Sequence, residues 1–205
     1  MSVEQGTAAM LTRRREILAQ GAEPVGWKIG FNVPEMRQKL GLDAPVAGFI
    51  TTDNLIEGDW DEYPVLVESE VAVELGEDGR SIAALLPALE LVDPPDLDLD
   101  IEQILAGNLF HRAVAFGPRV ETREPGAARI LVNGEEQHSI DAERTAANLE
   151  AMVDVIASRI DAAGEQLQPG ERIITGVLAQ PYEAQEGDTV RLELESVGSV
   201  ELRFS

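Results

Sequence analysis

Val65-Leu66-Val67-Glu68-Ser69-Glu70-Val71-Ala72-Val73-Glu74-Leu75 alternates apolar and other residues with a period of two, the mark of a β-strand. Val65, Val67, Ser69, Val71, Val73 and Leu75 share one face, and Glu68, Glu70 and Glu74 share the other. Residues two apart on a strand lie ~7 Å apart on one side, so Glu68 and Glu70 can converge on one cation. Two unpaired carboxylates at that spacing repel, and one tends to keep a proton. A hard divalent cation removes the conflict, because Mg²⁺, Mn²⁺ and Ca²⁺ prefer oxygen ligands. A strand with a solvated acidic face satisfies the same pattern, so other stretches must separate the two readings.

Working outward, composition bounds what the strand can belong to. The 205 residues suit one large domain, and a 44% hydrophobic content can bury a core. A net charge of −22 argues against nucleic-acid binding and against docking on anionic membranes. No apolar run reaches the ~18 residues of a membrane span, and the N-terminus lacks a signal-peptide pattern. Without cysteine there is no disulfide framework, thiolate metal site or cysteine nucleophile. A cytoplasmic protein is the default expectation. Only Lys28 and Lys39 are lysines, and scarce Lys with excess Asp and Glu fits a salt-adapted host or an arginine-preferring genome.

Upstream of the strand, residues 1–6 are expected to fray and Thr7–Gln20 to form a helix, with Arg13-Arg14-Arg15 mostly solvated and Gly21 as its stop. Pro24 to Phe31 reads as a short strand with Lys28 inside an apolar run between Gly26 and Gly30. Such a lysine serves acid–base work or holds an anionic substrate, or else its stem packs while its ammonium reaches water. Pro34–Leu40 reads as a short helix closed by Gly41, then a loop to Gly48 and a strand near Phe49–Thr52.

Downstream, Pro87-Ala88-Leu89-Glu90-Leu91-Val92 sets a glutamate between apolar neighbours, either a solvent-facing strand residue or a buried carboxylate with a partner. The acidic loop 93–100 lacks the glycine and terminal glutamate of an EF-hand. Ile101–Ala106 is predicted helical, and Ala113–Gly117 and Ala128–Val132 are predicted strands, the latter entering an Asn133-Gly134 hairpin. Thr145–Ala163 has the spacing of one long core-facing helix, followed by strands at 172–177, 189–194 and 199–204. His111 and His138, the two histidines, show no ligand spacing and read as surface or packed residues. Nucleotide-binding and α/β-hydrolase motifs are missing.

Three separated stretches fit one pattern: Gly26-Trp27-Lys28-Ile29-Gly30 with Leu40-Gly41; Val67 to Ala72 with Pro87 to Val92; and Pro169 to Gly176 with Gly187-Asp188-Thr189-Val190 and Gly198 to Phe204. Together they resemble the fumarylacetoacetate hydrolase superfamily, in its branch of 2-keto-4-pentenoate hydratases and 4-oxalocrotonate decarboxylases, from about residue 10 onward, with shortening at the N-terminus and between Glu70 and Glu90. The resemblance implies an α+β, β-rich fold whose central β-roll holds Mg²⁺ or Mn²⁺ at Glu68, Glu70 and Glu90. It implies a single catalytic-type domain over 1–205, with 1–45 as helical segment and lysine strand and 46–205 as roll core with the long helix near 145–163. Lys28 falls at the catalytic lysine, and Leu40, Asn108, Thr175 and Gly176 at substrate-contacting positions.

The implied chemistry is a metal-dependent lyase acting on small 2-oxo or 2-hydroxydienoic acids, hydrating or decarboxylating them through a metal-stabilised enolate. The implied assembly is a homo-oligomer, alone or with a homologous partner enzyme. The branch carries an aspartate where Val46 stands. Of an Asp-Asn-Ala-Ser-like stretch Gly107-Asn108-Leu109-Phe110 keeps only Asn108, and Thr175-Gly176-Val177-Leu178-Ala179 loses two hydroxyls. These departures leave a decarboxylase, a tautomerase, an acylpyruvate-type C–C hydrolase and a catalytically degenerate structural subunit as the alternatives to hydration.

Overall fold

A computed structural model describes residues 2–96 and 99–205. Leu97 and Asp98, inside the stretch expected to be an acidic loop, lie outside the described residues, as does Met1.

The alternating strand that carries Glu68 and Glu70 is β3 (Leu66–Leu75), and it sits inside a seven-stranded sheet. With β1 (Pro24–Gly30), β2 (Val46–Thr51), β4 (Ile82–Val92), β5 (His111–Phe116) and β8 (Arg172–Val177), the order is β2-β1-β8-β3-β4-β5, while the short β9 (Tyr182–Glu183) also pairs with β3. All pairs are antiparallel except β1 with β8. A second sheet runs β11-β10-β6-β7, built from β6 (Ala128–Val132), β7 (Glu135–Ile140), β10 (Thr189–Leu194) and β11 (Gly198–Arg203). The expected Asn133-Gly134 hairpin joins β6 to β7, both residues having positive φ.

The apolar face of β3 supplies the core between the sheets. Val67, Val71, Val73 and Leu75 are at most 2% exposed and share one cluster with Val190, Leu192 and Leu194 of β10. Each such side chain contributes about 1.5–3 kcal/mol by leaving water. The architecture is therefore the α+β, strand-rich fold expected, with helices flanking the sheets.

The main sheet curls, and its two edges are tied. Ile56 N donates to Val114 O of β5 (3.0 Å), and Asn54 Nδ2 donates to Arg112 O (3.0 Å). Asn108, just before β5, clamps β2: its Oδ1 accepts from Phe49 N (2.8 Å) and its Nδ2 donates to Phe49 O (2.9 Å). Side chains from distant strands can then meet on the concave side.

Three local expectations are corrected. Helix α1 (Val3–Ala19) begins earlier than Thr7, because Ser2 and Gln5 form a reciprocal capping box. Arg14, expected on a solvated face, is 8% exposed. Its guanidinium lies 4.6 Å from the centre of the Trp27 ring and 3.8 Å from both Glu165 and Glu171. The single long helix near 145–163 is two, α4 (Ala142–Ala146) and α5 (Leu149–Ala162), separated at Ala147 and at Asn148, whose φ of 65° is left-handed. The remaining helices, α2 (Pro34–Leu40) and α3 (Ile101–Ala106), lie where the sequence placed them, and α1 packs across α3.

Candidate metal centre

The register of β3 with β4 places Glu68 directly opposite Glu90, and Glu70 two residues along, between Ala88 of β4 and Val177 of β8. One carboxylate oxygen from each of Glu68, Glu70 and Glu90 lies within 4.8 Å of the others. Among the described residues this is the one cluster of three or more such groups close enough to share an ion. The acidic face is not solvated: Glu70 and Glu90 are 0% exposed and Glu68 is partly buried. Like charges opposite one another on paired strands destabilise a sheet, so the arrangement needs a compensating charge.

Lys28 supplies one. It comes from β1, three strands from β4, a distance of ~14 Å in a flat sheet. The curl brings its ammonium into an ion pair with Glu90 Oε1 and to 3.5 Å from Leu109 O, with the lysine itself 3% exposed. Gly48, paired with Lys28 across β1 and β2, makes room: a Cβ there would lie 2.8 Å from both Lys28 Cγ and Asn108 Oδ1.

Protonation follows from this geometry. Burial pushes the Glu68 carboxyl up to about 7, and the Glu90 charge adds to the rise. Glu70 is raised well above the usual range for the same two reasons, although Gly176 N donates to its Oε2 at 2.7 Å. Glu90 goes the other way, to about 2: burial opposes its charge, but Lys28 and His111 together outweigh it. Burial pulls Lys28 down while Glu90 and Glu68 raise it further, and the net rise keeps it an ammonium.

The donor set fits a hard divalent cation. Glu70 Oε1 and Glu90 Oε2 are buried with no hydrogen-bond partner, a costly condition for a carboxylate oxygen. A small cation taking oxygen ligands would satisfy both, and its charge would offset the burial and the repulsion that together favour protons on Glu68 and Glu70.

The other expected residues are placed as follows. Gly176 sits against Glu70 through its N–H; its φ is 100°, and a Cβ there would collide with the Asn32 side chain. Thr175 turns away, its Oγ1 donating to Val71 O at 2.8 Å. Asn108 bonds Phe49 through both Oδ1 and Nδ2, which makes it a tie between the sheet edges. Leu40 is partly buried against the apolar cluster of Leu42, Val46, Ile104, Leu105 and Leu109, which Phe31 and Phe110 also border. A cavity of about 200 Å³ lies across β3 from the glutamates, lined by Ser69, Gln137, His138, Gln180 and Tyr182 among others.

His111 is the residue the sequence reading missed. Its ring is enclosed, and its Nδ1 lies 2.7 Å from Glu90 Oε1. Burial lowers its pKa more than the Glu90 contact raises it, so the ring is neutral at neutral pH. The strand is expected only from Ala113, and strict alternation back from Val114, which pairs with Glu90, would turn His111 to the other face; the register shift between Leu91 and Val92 sets His111 opposite Val92 and on the glutamate side.

Sequence comparison fits this geometry: the profile of the fumarylacetoacetate (FAA) hydrolase C-terminal family matches residues 49–205. The chain belongs to the fumarylacetoacetate hydrolase family. Its curated relatives include a 4-oxalocrotonate decarboxylase of Pseudomonas sp., 25% identical over 203 residues, covering 89% of this chain and 79% of the relative. A 2-keto-4-pentenoate hydratase of Paraburkholderia xenovorans is 25% identical over 231 residues, covering 100% of this chain and 84% of the relative. Among solved structures, the 4-oxalocrotonate decarboxylase of Pseudomonas putida complexed with magnesium and adipate superposes with a TM-score of 0.88 at 19% identity, covering 100% of this chain and 87% of that one. The fumarylpyruvate hydrolase of Pseudomonas aeruginosa, in complex with Mn²⁺ and pyruvate, gives 0.63 at 15% identity, covering 87% and 88%. The family thus holds hydratases and decarboxylases on this fold. No helix among the described residues is long and apolar enough to cross a membrane.

Proposed function

We propose that this chain is a divalent-metal-dependent lyase of small 2-oxo and 2-hydroxydienoic acids, of the hydratase or decarboxylase type, with decarboxylation the better supported. The observation that carries the reading is the cluster of Glu68, Glu70 and Glu90 beside the buried Lys28, with a partnerless oxygen on both fully buried glutamates. Relatives named for these two reactions, one of them solved with magnesium, add support. When bound, Mg²⁺ or Mn²⁺ at the three glutamates supplies Lewis-acid polarisation of the substrate's 2-oxygen.

The chain's own residues do the rest. Lys28 is the positive charge that meets a substrate carboxylate in a protein whose overall charge of −22 repels anions. Loss of CO₂ breaks a C–C bond, leaves the electron pair on the remaining chain, and requires one proton on carbon. Lys28 Nζ, the ammonium beside the cluster, would give that proton and take one back once the product has left the site open to water. Hydration needs a positioned water as well, and Val46, Phe110, Val177 and Ala179 stand where the resemblance leads one to expect more polar groups. Val46 is 1% exposed and lies in the Leu109 cluster, a poor place to hold water. Gly176 N steadies Glu70, and the apolar cluster that Leu40 packs against reaches Lys28 at Leu109, whose carbonyl oxygen lies 3.5 Å from Nζ.

A C–C hydrolase would use a histidine–glutamate contact to activate water. His111 makes such a contact with Glu90, but its ring is 0% exposed, which keeps water from it.

The test is turnover of 2-oxo-3-hexenedioate, 2-hydroxypenta-2,4-dienoate, oxaloacetate and acetylpyruvate with Mg²⁺ or Mn²⁺, using Glu70→Ala as control. Metal-dependent loss of CO₂ or addition of water, abolished in Glu70→Ala, is the expected result. A purified protein that binds neither cation overturns the reading, and binding without turnover of any substrate transfers support to a structural subunit.

A further inference from the structure

The two fully buried glutamates of the cluster are held in the same way, by different means. Glu70 has one oxygen fixed, Oε2 on Gly176 N, and one free, Oε1. Glu90 has Oε1 fixed and Oε2 free, but its fixed oxygen takes two donors, Lys28 Nζ and His111 Nδ1. Two donors match the two lone pairs of a carboxylate oxygen.

The fold goes to some cost to place His111. Asn108, Leu109 and Phe110 run consecutively at φ of 63°, 59° and 62°, the left-handed region that side chains avoid at about 1–2 kcal/mol per residue. The run is kept in that shape by the Asn108 clamp on Phe49, by Leu109 N donating to Ile104 O (2.9 Å), and by His111 N donating to Asn108 O (3.1 Å). It delivers the imidazole to Glu90 with Nε2 buried and partnerless, whereas an apolar side chain in that slot would leave no polar atom unsatisfied. Packing alone does not explain a histidine here; the bond to Glu90 does.

We infer that His111 is a positioning residue of the metal centre: with Lys28 it withdraws Oε1 of Glu90 from coordination, makes Glu90 a one-oxygen ligand, and so favours Mg²⁺ and Mn²⁺ over Ca²⁺. The physical link is coordination number. Mg²⁺ takes six ligands at short distance, with one oxygen per carboxylate, while Ca²⁺ fills six to eight positions and commonly takes both oxygens of a carboxylate. Pinning one oxygen on each of Glu70 and Glu90 removes the two-oxygen mode from both. The inference rests on the metal-dependent reading above and adds a residue and a selectivity to it.

Calorimetric titration of the full chain with MgCl₂, MnCl₂ and CaCl₂ tests it without reference to activity. Wild type is expected to bind Mn²⁺ and Mg²⁺ at least about tenfold more tightly than Ca²⁺. His111→Leu, which fills the space without a donor, should lose about 10–100-fold in Mn²⁺ affinity and little in Ca²⁺ affinity, collapsing the ratio. His111→Asn, whose amide nitrogen stands close to the place of Nδ1, should restore the ratio, which a space-filling role would not predict. Should His111→Leu fail to fold, His111→Ser, too short to reach Glu90, decides on the same ratio. An unchanged Mn²⁺:Ca²⁺ ratio in a folded donor-less variant overturns the inference and leaves the metal-dependent reading standing. A wild type that binds no divalent cation overturns both.

Discussion

Glu70 and Glu74 stand on the same face of β3 and meet opposite surroundings. Glu74 lies 2.6 Å from Arg119 Nε and 3.7 Å from Arg172 Nε, and it stays partly exposed. Glu70 is fully buried, receives a single backbone N–H, and keeps one oxygen without a partner. Two arginines make Glu74 an ordinary structural carboxylate. At the other end of the face three carboxylates share one lysine, and that imbalance is what a divalent cation answers. Burial separates the two ends only by degree, because the Glu74 side chain is itself just 14% exposed, and it does not decide which end needs a cation. The supply of compensating charge does.

The largest expected break in that contrast comes from Lys28→Met. It strips the glutamate end of its lysine and leaves Glu90 buried without a counter-charge, which should destabilise the metal-free protein by about 3 kcal/mol and abolish turnover. Saturating Mn²⁺ should return more of the lost melting temperature to Lys28→Met than it adds to wild type, because the cation then supplies the missing charge. Thermal melts with and without Mn²⁺ read this directly. Equal Mn²⁺ shifts in both proteins would mean that Lys28 and the cation do not serve the same charge.

A middle-sized effect is expected from pH. Glu68 in the fold titrates near 7, above its ordinary value of 4.5, so the folded protein holds a proton that the unfolded chain releases. The metal-free protein is therefore most stable toward pH 4.5 and loses stability as pH rises to about 7, by up to about 3 kcal/mol from this group. Glu70 shifts in the same direction, whereas Glu90, held near 2, matters only below its ordinary range. Melting temperature should fall by about 5–10 °C between pH 5 and 7.5. The fall should shrink in Glu68→Gln and flatten under saturating Mg²⁺. A slope that Glu68→Gln leaves untouched would assign it to the general acidity of the surface.

The smallest effect is expected at the paired end. Glu74→Gln removes ion pairs with two partly exposed arginines and should cost no more than about 1 kcal/mol, with Mn²⁺ affinity unchanged. A metal affinity that moved with Glu74 would erase the distinction between the two ends of β3.

Much of the centre was legible in the sequence. Strand alternation put Glu68 and Glu70 together, and the apolar runs around Glu90 and Lys28 marked both as groups needing partners. His111 escaped because three left-handed residues without glycine give no local signal, and because its partner, Glu90, is 21 positions away. Arg14 escaped for a related reason: within three consecutive arginines, only the packing of α1 decides which one meets Trp27. The tie from Asn108 to Phe49 has no local signal either, because it depends on how far the sheet curls.

By itself, then, the sequence determined the strands, the two chemically distinct faces of β3 and the identity of the carboxylates, because a period of two and the charge of a side chain are local properties. Tertiary structure alone decided which carboxylates share a lysine, which receive arginines, and which oxygens stay free. Those depend on strand register and on the curl that brings β1 to β4, and electrostatic energy in a buried site follows distance across the fold, not separation along the chain.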